Sequence, residues 1–310
     1  MKHILVCGGA GFIGSALVPA LVYRGHEVSA TIYSRDPDPK IAGVKYIEAD
    51  LTTRGSWDLS LGLHHGDPAP EIVYMCAGKT GGSGLDPLHF VTDNALMALH
   101  MFRSCAQHGV KRIVYMSSTT GYPNSDEPMK EKDYFIGELH PAYFNPGHTK
   151  RFIERLGAMW AHKVESVFIR VAGVYGPGSD FDPVSSHVIE ATIRKVAERQ
   201  DPIIIWGDGT AQRDALYIDD LTDALVRSLD WPAGAYNLGT GNTMRVDEIL
   251  HTLLAHTDHQ PRIERDLSRP QMITTRRLDC AKALALGWQA TVSMREGLRK
   301  TFDWYEAQHG

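Results

Sequence analysis

Long apolar runs are missing from this 310-residue chain. No stretch of about 18 consecutive apolar residues occurs, which excludes a helix built to span a bilayer. Cysteine is scarce: four residues, at 7, 76, 105 and 280, with no Cys-x-x-Cys pair, so neither a disulfide framework nor a thiolate metal site is written into the chain. Cys7, Cys76 and Cys105 sit in apolar surroundings and read as reduced core residues, so the expected compartment is the cytoplasm. Basic tracts are also absent, and a formal net charge of −5 argues against a nucleic-acid partner. His64-His65 lacks a carboxylate or cysteine at ligand spacing and reads as a polar loop rather than a metal site. There is no internal repeat and no low-complexity segment.

What is present is organised around Gly8-Gly9-Ala10-Gly11-Phe12-Ile13-Gly14-Ser15. It follows the apolar run Ile4–Cys7 and leads into Ala16-Leu17-Val18, a strand, tight turn and helix in succession. Glycines 8, 11 and 14 let the backbone bend sharply and come close to a pyrophosphate, while the N–H groups of Phe12, Ile13 and Gly14 open the helix toward it. Strands are predicted at His3–Cys7, Val28–Tyr33, Val44–Glu48, Ile72–Cys76, Ile113–Ser117 and Ser166–Val171, with helices at Ser15–Arg24, Thr92–His108 and Gly147–His162. This alternation implies an α/β fold with a doubly wound parallel sheet. The expected division is a dinucleotide-binding domain over residues 1–178, with segments near 203–236 returning to it, and a smaller, discontinuous substrate-binding region over 179–310.

The end of the second strand bears on cofactor choice, because an acidic side chain there would bind the free 2′-hydroxyl of NAD. Ile32 falls near that place, followed by Tyr33, Ser34 and Arg35. A hydroxyl and a guanidinium suit a 2′-phosphate and favour NADP, although Asp36 is adjacent and Arg35 also reads as a solvated loop residue. After the third strand, Ala49-Asp50-Leu51 can bracket an adenine, or Asp50 can cap a helix.

The glycine loop, Ala49-Asp50-Leu51, Ser117-Ser118-Thr119, Lys150 and Tyr175-Gly176-Pro177-Gly178 together resemble the extended short-chain dehydrogenases, Rossmann enzymes that epimerise, dehydrate or reduce nucleotide sugars. The C-terminal half is most similar to the GDP-L-fucose synthase branch. The resemblance there is carried by Ala77-Gly78-Lys79-Thr80-Gly81-Gly82, by Asp180-Phe181-Asp182 with Ser186-His187-Val188-Ile189, and by Ile205-Trp206-Gly207-Asp208-Gly209-Thr210 with Arg213 and Asp219-Asp220. It implies that Ala77 and Gly78 line the dinucleotide, that Lys150 holds it, and that Lys79, Gly173, His187, Trp206, Arg213 and Arg269 meet a nucleotide-sugar substrate. It also implies a homodimer.

In that family a tyrosine four residues before the lysine carries the proton, with help from a strand-end serine. Here Pro146 stands four residues before Lys150. Asn145 and Pro146 read as the cap and first residue of a helix, which would leave Tyr143 outside it; Tyr143 or His148 is a candidate replacement donor, and the other reading has none. Ser118 falls at the family serine, Thr120 at the cysteine that fucose synthases use as an acid/base, and His187 at its partner histidine, whose imidazole exchanges protons near neutral pH. Gly173 replaces an asparagine common in the family. The expected activity is therefore NAD(P)-dependent epimerisation, dehydration or keto reduction of a nucleotide sugar, and the alternative is a dinucleotide-binding sensor or partner subunit without turnover.

Overall fold

The computed structural model describes residues 1–62, 68–79, 87–125, 127–268 and 277–309. Strands β1 (His3–Cys7), β2 (Glu27–Ile32), β3 (Lys45–Glu48), β4 (Ile72–Met75), β5 (Arg112–Ser118) and β6 (Glu165–Val171) join a seventh, Gly234–Leu238, in one sheet. From one edge its order is Gly234–Leu238, β6, β5, β4, β1, β2, β3. The sheet is parallel, with Ile4 opposite Val28 on one side of β1 and opposite Ile72 on the other. β1 to β3 thus build outward in one direction and β4 onward in the other, so the order reverses beside β1. A ligand crevice opens at the carboxyl ends of the strands at such a point.

The central strands read as unbroken apolar runs because helices cover both sheet faces. Ile4, Leu5, Val6 and Cys7 are all fully buried. Helices α1 (Phe12–Tyr23), α2 (Arg54–Ser60), α3 (Pro87–Gln107) and α4 (Phe144–Trp160) alternate with these strands. One core cluster gathers Leu5 and Cys7 from β1, Val73 and Met75 from β4, Met101 and Phe102 from α3, and Ile153 and Leu156 from α4. All four cysteines are free; burial raises the Cys7 and Cys105 thiols above their ordinary range and pushes Cys76 up to about 12, so none of these three is a thiolate at neutral pH.

Contacts divide the chain into two units, 1–121 with 143–170 and 222–236, and 122–142 with 171–221 and 237–310. Residues 122–142 and 171–178, expected in the N-terminal domain, fall in the second unit, and only 222–236 of the later chain returns to the first. Inside the second unit the buried Asn237 side chain is a three-way tie. It accepts a hydrogen bond from the Tyr122 hydroxyl and donates to the carbonyls of Met129 (2.8 Å) and Asp279 (3.0 Å). Helices α5 (Val188–Ala197) and α7 (Val246–Leu254) pack there against Met294–His309, and α6 (Ile218–Arg227) passes from the second unit into the first.

The start of α4 corrects the sequence reading. The helix begins at Phe144, three residues earlier than expected, after a 3-10 turn over Pro141–Tyr143. Pro146 is its third residue, and Tyr143, not Asn145, is the residue before the first. A helix leaves its first N–H groups without intrahelical acceptors, so a proline in any position of that first turn removes no helical bond.

Candidate active site

The glycine loop leaves β1 at its carboxyl end and closes on itself: the Gly11 N–H donates to the Gly8 carbonyl at 2.9 Å, and the Gly8 N–H donates to the Thr31 hydroxyl at 3.0 Å. Gly8 has φ +81°, and a Cβ there would stand 2.9 Å from the Ala77 backbone. A Cβ on Gly14 would collide with the Gly8 carbonyl, whose carbon lies 2.8 Å away. Gly11 precedes α1 and no side chain caps the helix, so the first-turn N–H groups have no side-chain acceptor. This fits a pyrophosphate: a loop too tight for side chains, ending on uncapped donors and the positive end of a helix dipole. A dinucleotide held there supplies a hydride acceptor or donor.

At the end of β2, Ser34 takes a left-handed conformation (φ +61°), and Tyr33, Ser34 and Arg35 are exposed. Asp36 is engaged by Lys40 at 3.6 Å. Asp50 accepts from the N–H (3.0 Å) and hydroxyl (2.7 Å) of Thr52 in the turn before α2, whose capping position is Thr53 rather than Asp50. Ala49 and Leu51 are buried in the core, so their side chains are packing residues. Ala77 is half-buried beside the glycine loop, while Gly78 and Lys79 are exposed; the Lys79 backbone is fixed by Asn94, which accepts from its N–H and donates to its carbonyl. Thr80–Gly82, His64-His65 and Arg269 lie outside the described residues.

The first unit brings Ser118, Thr120 and Lys150 to one place. β5 ends at Ser118, and a 3-10 turn over Thr119–Gly121 folds Thr120 back so that its N–H (3.2 Å) and hydroxyl (3.1 Å) both donate to the Ser118 Oγ. Lys150, in the second turn of α4, donates to the Met116 carbonyl at 2.7 Å and lies 3.4 Å from the Tyr115 hydroxyl. Burial lowers the Lys150 amine to about 8, and Glu154 pulls against that shift. Tyr143 is half-buried at the N-terminus of α4, and His148 is exposed with its ring edge-on to Phe144.

Beneath the lysine lies a group that the sequence reading missed. Glu154, one turn beyond Lys150, pairs with Arg170 of β6 at 2.6 Å, each side chain only 3% exposed, and also accepts from the Ser117 hydroxyl at 2.6 Å. The available signal was Arg170 itself, a lone cation between the apolar residues Val167-Phe168-Ile169 and Val171-Ala172.

The second unit carries the remaining candidates. His187 precedes α5, exposed, and caps none of its N–H groups. Trp206 ends the strand Ile203–Trp206 with 62% of its surface exposed. Arg213 lies in a two-residue strand paired with Met244-Arg245. Gly173 is exposed, and a Cβ there would meet nothing nearer than the Asp214 carbonyl at 3.9 Å, so the backbone does not require glycine at that position.

A doubly wound sheet with an uncapped glycine turn at its switch point, and a lysine and hydroxyls at the end of β5, defines a dinucleotide-dependent enzyme fold. The match to the NAD dependent epimerase/dehydratase family covers residues 4–239, and this chain belongs to that family as an NAD(P)-dependent enzyme. Among its relatives, GDP-L-fucose synthase 1 of Arabidopsis thaliana is 27% identical over 97% of this chain and 92% of that protein. UDP-glucose 4-epimerase of Thermus thermophilus, solved with NAD, superposes with a TM-score of 0.84 at 25% identity, covering 98% of both chains. The UDP-glucose 4-epimerase of Thermotoga maritima, solved with UDP-glucose, shares the fold with a TM-score of 0.87 at 24% identity over 99% of this chain and all of that one. Among the described residues no helix is long and apolar enough to cross a membrane, and no cluster of three or more metal-ligating side chains occurs.

Proposed function

We propose that this chain transfers hydride to and from a nucleotide-activated hexose bound as its nucleoside-diphosphate sugar, and moves a proton at a neighbouring carbon, using NADP in a cytoplasmic homodimer. The observation that carries the reading is the conjunction of an uncapped α1 N-terminus over the glycine loop with Lys150, Ser118 and Thr120 gathered at the end of β5. The second unit is the substrate-binding part, with Trp206 for a base or ribose and Arg213 for the diphosphate. His187 exchanges the proton at carbon; a threonine alcohol in place of a thiol leaves Thr120 to bond substrate rather than ionise. The test is native mass spectrometry against NAD(H), NADP(H) and a panel of GDP- and UDP-hexoses and their 4-keto forms, followed by solvent deuterium incorporation. Binding and incorporation, with incorporation suppressed in His187→Ala, is the expected result. Dinucleotide binding without hydride transfer or exchange across the panel would replace this reading with that of a non-catalytic sensor, for which Pro146 is the supporting feature.

NADP is favoured because Arg35 is exposed beside the ribose end of β2 while its acidic neighbour Asp36 is engaged by Lys40. A charged hydrogen bond to a 2′-phosphate contributes about 1.5–3 kcal/mol, roughly tenfold to a hundredfold in affinity. NADPH should therefore bind more tightly than NADH by that factor, and Arg35→Ala should erase most of the difference in calorimetry. Equal affinities in the unmutated protein would overturn the preference.

A second copy is expected against α4. Phe144, His148, Phe152, Arg155 and Met159 recur at helical spacing on one face, and Phe144, Phe152 and Met159 are 56%, 45% and 73% exposed. Phe152→Glu should convert a dimer to a monomer in sedimentation equilibrium, and a monomeric unmutated protein would remove this part of the proposal.

A further inference from the structure

Lys150 is placed for more than holding a cofactor. On α4 the residue one turn before it is Pro146, which has no proton to exchange, and the residue one turn after it is Glu154, whose carboxylate is committed to Arg170 and Ser117. The amine is partly buried and lies against β5, where it meets one carbonyl, that of Met116 at 2.7 Å, and the Tyr115 hydroxyl at 3.4 Å. Tyr115 is itself 2% exposed in the core, and burial together with Glu154 raises its phenol well above its ordinary range, so it stays protonated. Burial thus moves the lysine and the phenol in opposite directions, the amine down to about 8 and the phenol up.

Resting on the reading above, we propose that Lys150 is the proton carrier of the site, its neutral amine taking the hydroxyl proton of the sugar as the carbon is oxidised and its ammonium returning that proton on reduction. In the forward direction the C–H bond breaks and its hydride leaves to the nicotinamide ring of the bound dinucleotide. The O–H bond breaks and its proton goes to the lysine lone pair, and the C–O bond becomes a carbonyl. One alcohol and one oxidised dinucleotide give one ketone, one reduced dinucleotide and one ammonium, and the ammonium releases the proton to water. The geometry supports both states of the amine. As a cation it has three N–H donors, of which the Met116 carbonyl and the Tyr115 oxygen take two and leave one for substrate. As a neutral amine it keeps two N–H donors, one for the Met116 carbonyl and one for the Tyr115 oxygen, so its single lone pair is left for the sugar hydroxyl and Tyr115 is a positioning residue. The groups facing the amine are Tyr115 and Met116 from β5 and Glu154 from its own helix. Burial lowers the amine to about 8 and Glu154 opposes the shift, which leaves both forms populated near physiological pH.

The role separates from simple anchoring by experiment. Competitive acetylation at graded pH, read by peptide mass spectrometry on the whole protein with and without NADP, should give Lys150 a midpoint near 8, below that of a free lysine side chain. Lys150→Arg keeps a cation of similar reach that does not deprotonate. It should hold dinucleotide affinity within about threefold and lose roughly 10²–10⁴ in hydride transfer, the range of one acid–base group, together with the alkaline rise of the pH–rate profile. Tyr115→Phe should move the Lys150 midpoint downward by removing an acceptor from the cation. A Lys150 midpoint matching that of a free lysine side chain, or an arginine variant that keeps the rate and pH profile, would overturn the proposal. Failure of every sugar to react would instead sink the substrate reading, because the labelling midpoint is measured without substrate.

Discussion

Gly14→Ala should lose about a hundredfold or more in dinucleotide affinity while the sheet stays folded. The added methyl would collide with the Gly8 carbonyl, a backbone group with no rotamer to retreat into. Gly8 is held from three sides: its N–H donates to the Thr31 hydroxyl, its carbonyl accepts from Gly11, and the Ala77 backbone lies directly behind it. The next residue is fixed too, since the Gly9 N–H donates to the Thr31 carbonyl at 2.7 Å. The strain therefore falls on the N-terminus of α1, which must tilt away and carry its uncapped N–H groups out of line with the pyrophosphate. Overpacking of this kind costs about 1–3 kcal/mol in stability. Losing two charged hydrogen bonds costs about 3–6 kcal/mol of binding, more than a hundredfold. Calorimetry with NADPH and NADH reads the loss. Gly25→Ala is the control: Gly25 has positive φ (+78°) but nothing lies near its missing Cβ, and its effect should be confined to stability. Gly14→Ala binding within threefold of the unmutated protein would show that the dinucleotide does not lie on this turn.

The glycine turn was legible in the sequence because its cause is local. Three glycines at fixed spacing between an apolar strand and a helix allow few other conformations, and strands buried on both faces declare themselves as apolar runs. β1, β4, β5 and β6 accordingly lie within a residue or so of their expected ends. The beginning of α4 was not legible: a proline is compatible with the first, second or third helical position, and the sequence alone does not choose among them. The second unit recruits residues 122–142 through the Asn237 side chain, more than a hundred positions away from Tyr122 and Met129, and no local pattern announces such a tie. Asp50 was open to two readings, beside an adenine or as a helix cap; the residue before α2 is Thr53, and Asp50 bonds to Thr52 one turn earlier. Lys150 was found by its resemblance to a family lysine, but its surroundings were not. Which carbonyl it meets, and that Glu154 is occupied elsewhere, depend on how α4 lies against β5 and β6.

That occupied carboxylate gives the second large effect. Glu154→Ala should destabilise the protein by about 3–5 kcal/mol, the cost of leaving a buried charge without its partner. Arg170 donates to both Glu154 oxygens through Nε (3.0 and 3.2 Å) and through Nη2 (2.6 Å), and with both side chains 3% exposed bulk water is not at hand to replace the lost carboxylate. Ser117 would lose this acceptor as well, at the foot of the strand end that carries Ser118. The pair itself need not be net stabilising, because removing two ions from water costs several kcal/mol that their attraction only roughly offsets. Glu154→Leu combined with Arg170→Met should therefore recover most of the stability lost by either single change in urea unfolding. The same double variant discriminates structure from chemistry at Lys150. With Glu154 gone the force opposing burial disappears, and the Lys150 amine should titrate lower still, shifting the alkaline limb of any pH–rate profile toward neutral pH. A double variant as unstable as the single ones would mean that the core around β6 depends on the ion pair itself. An unchanged Lys150 midpoint in a stable double variant would mean that Glu154 acts on packing alone.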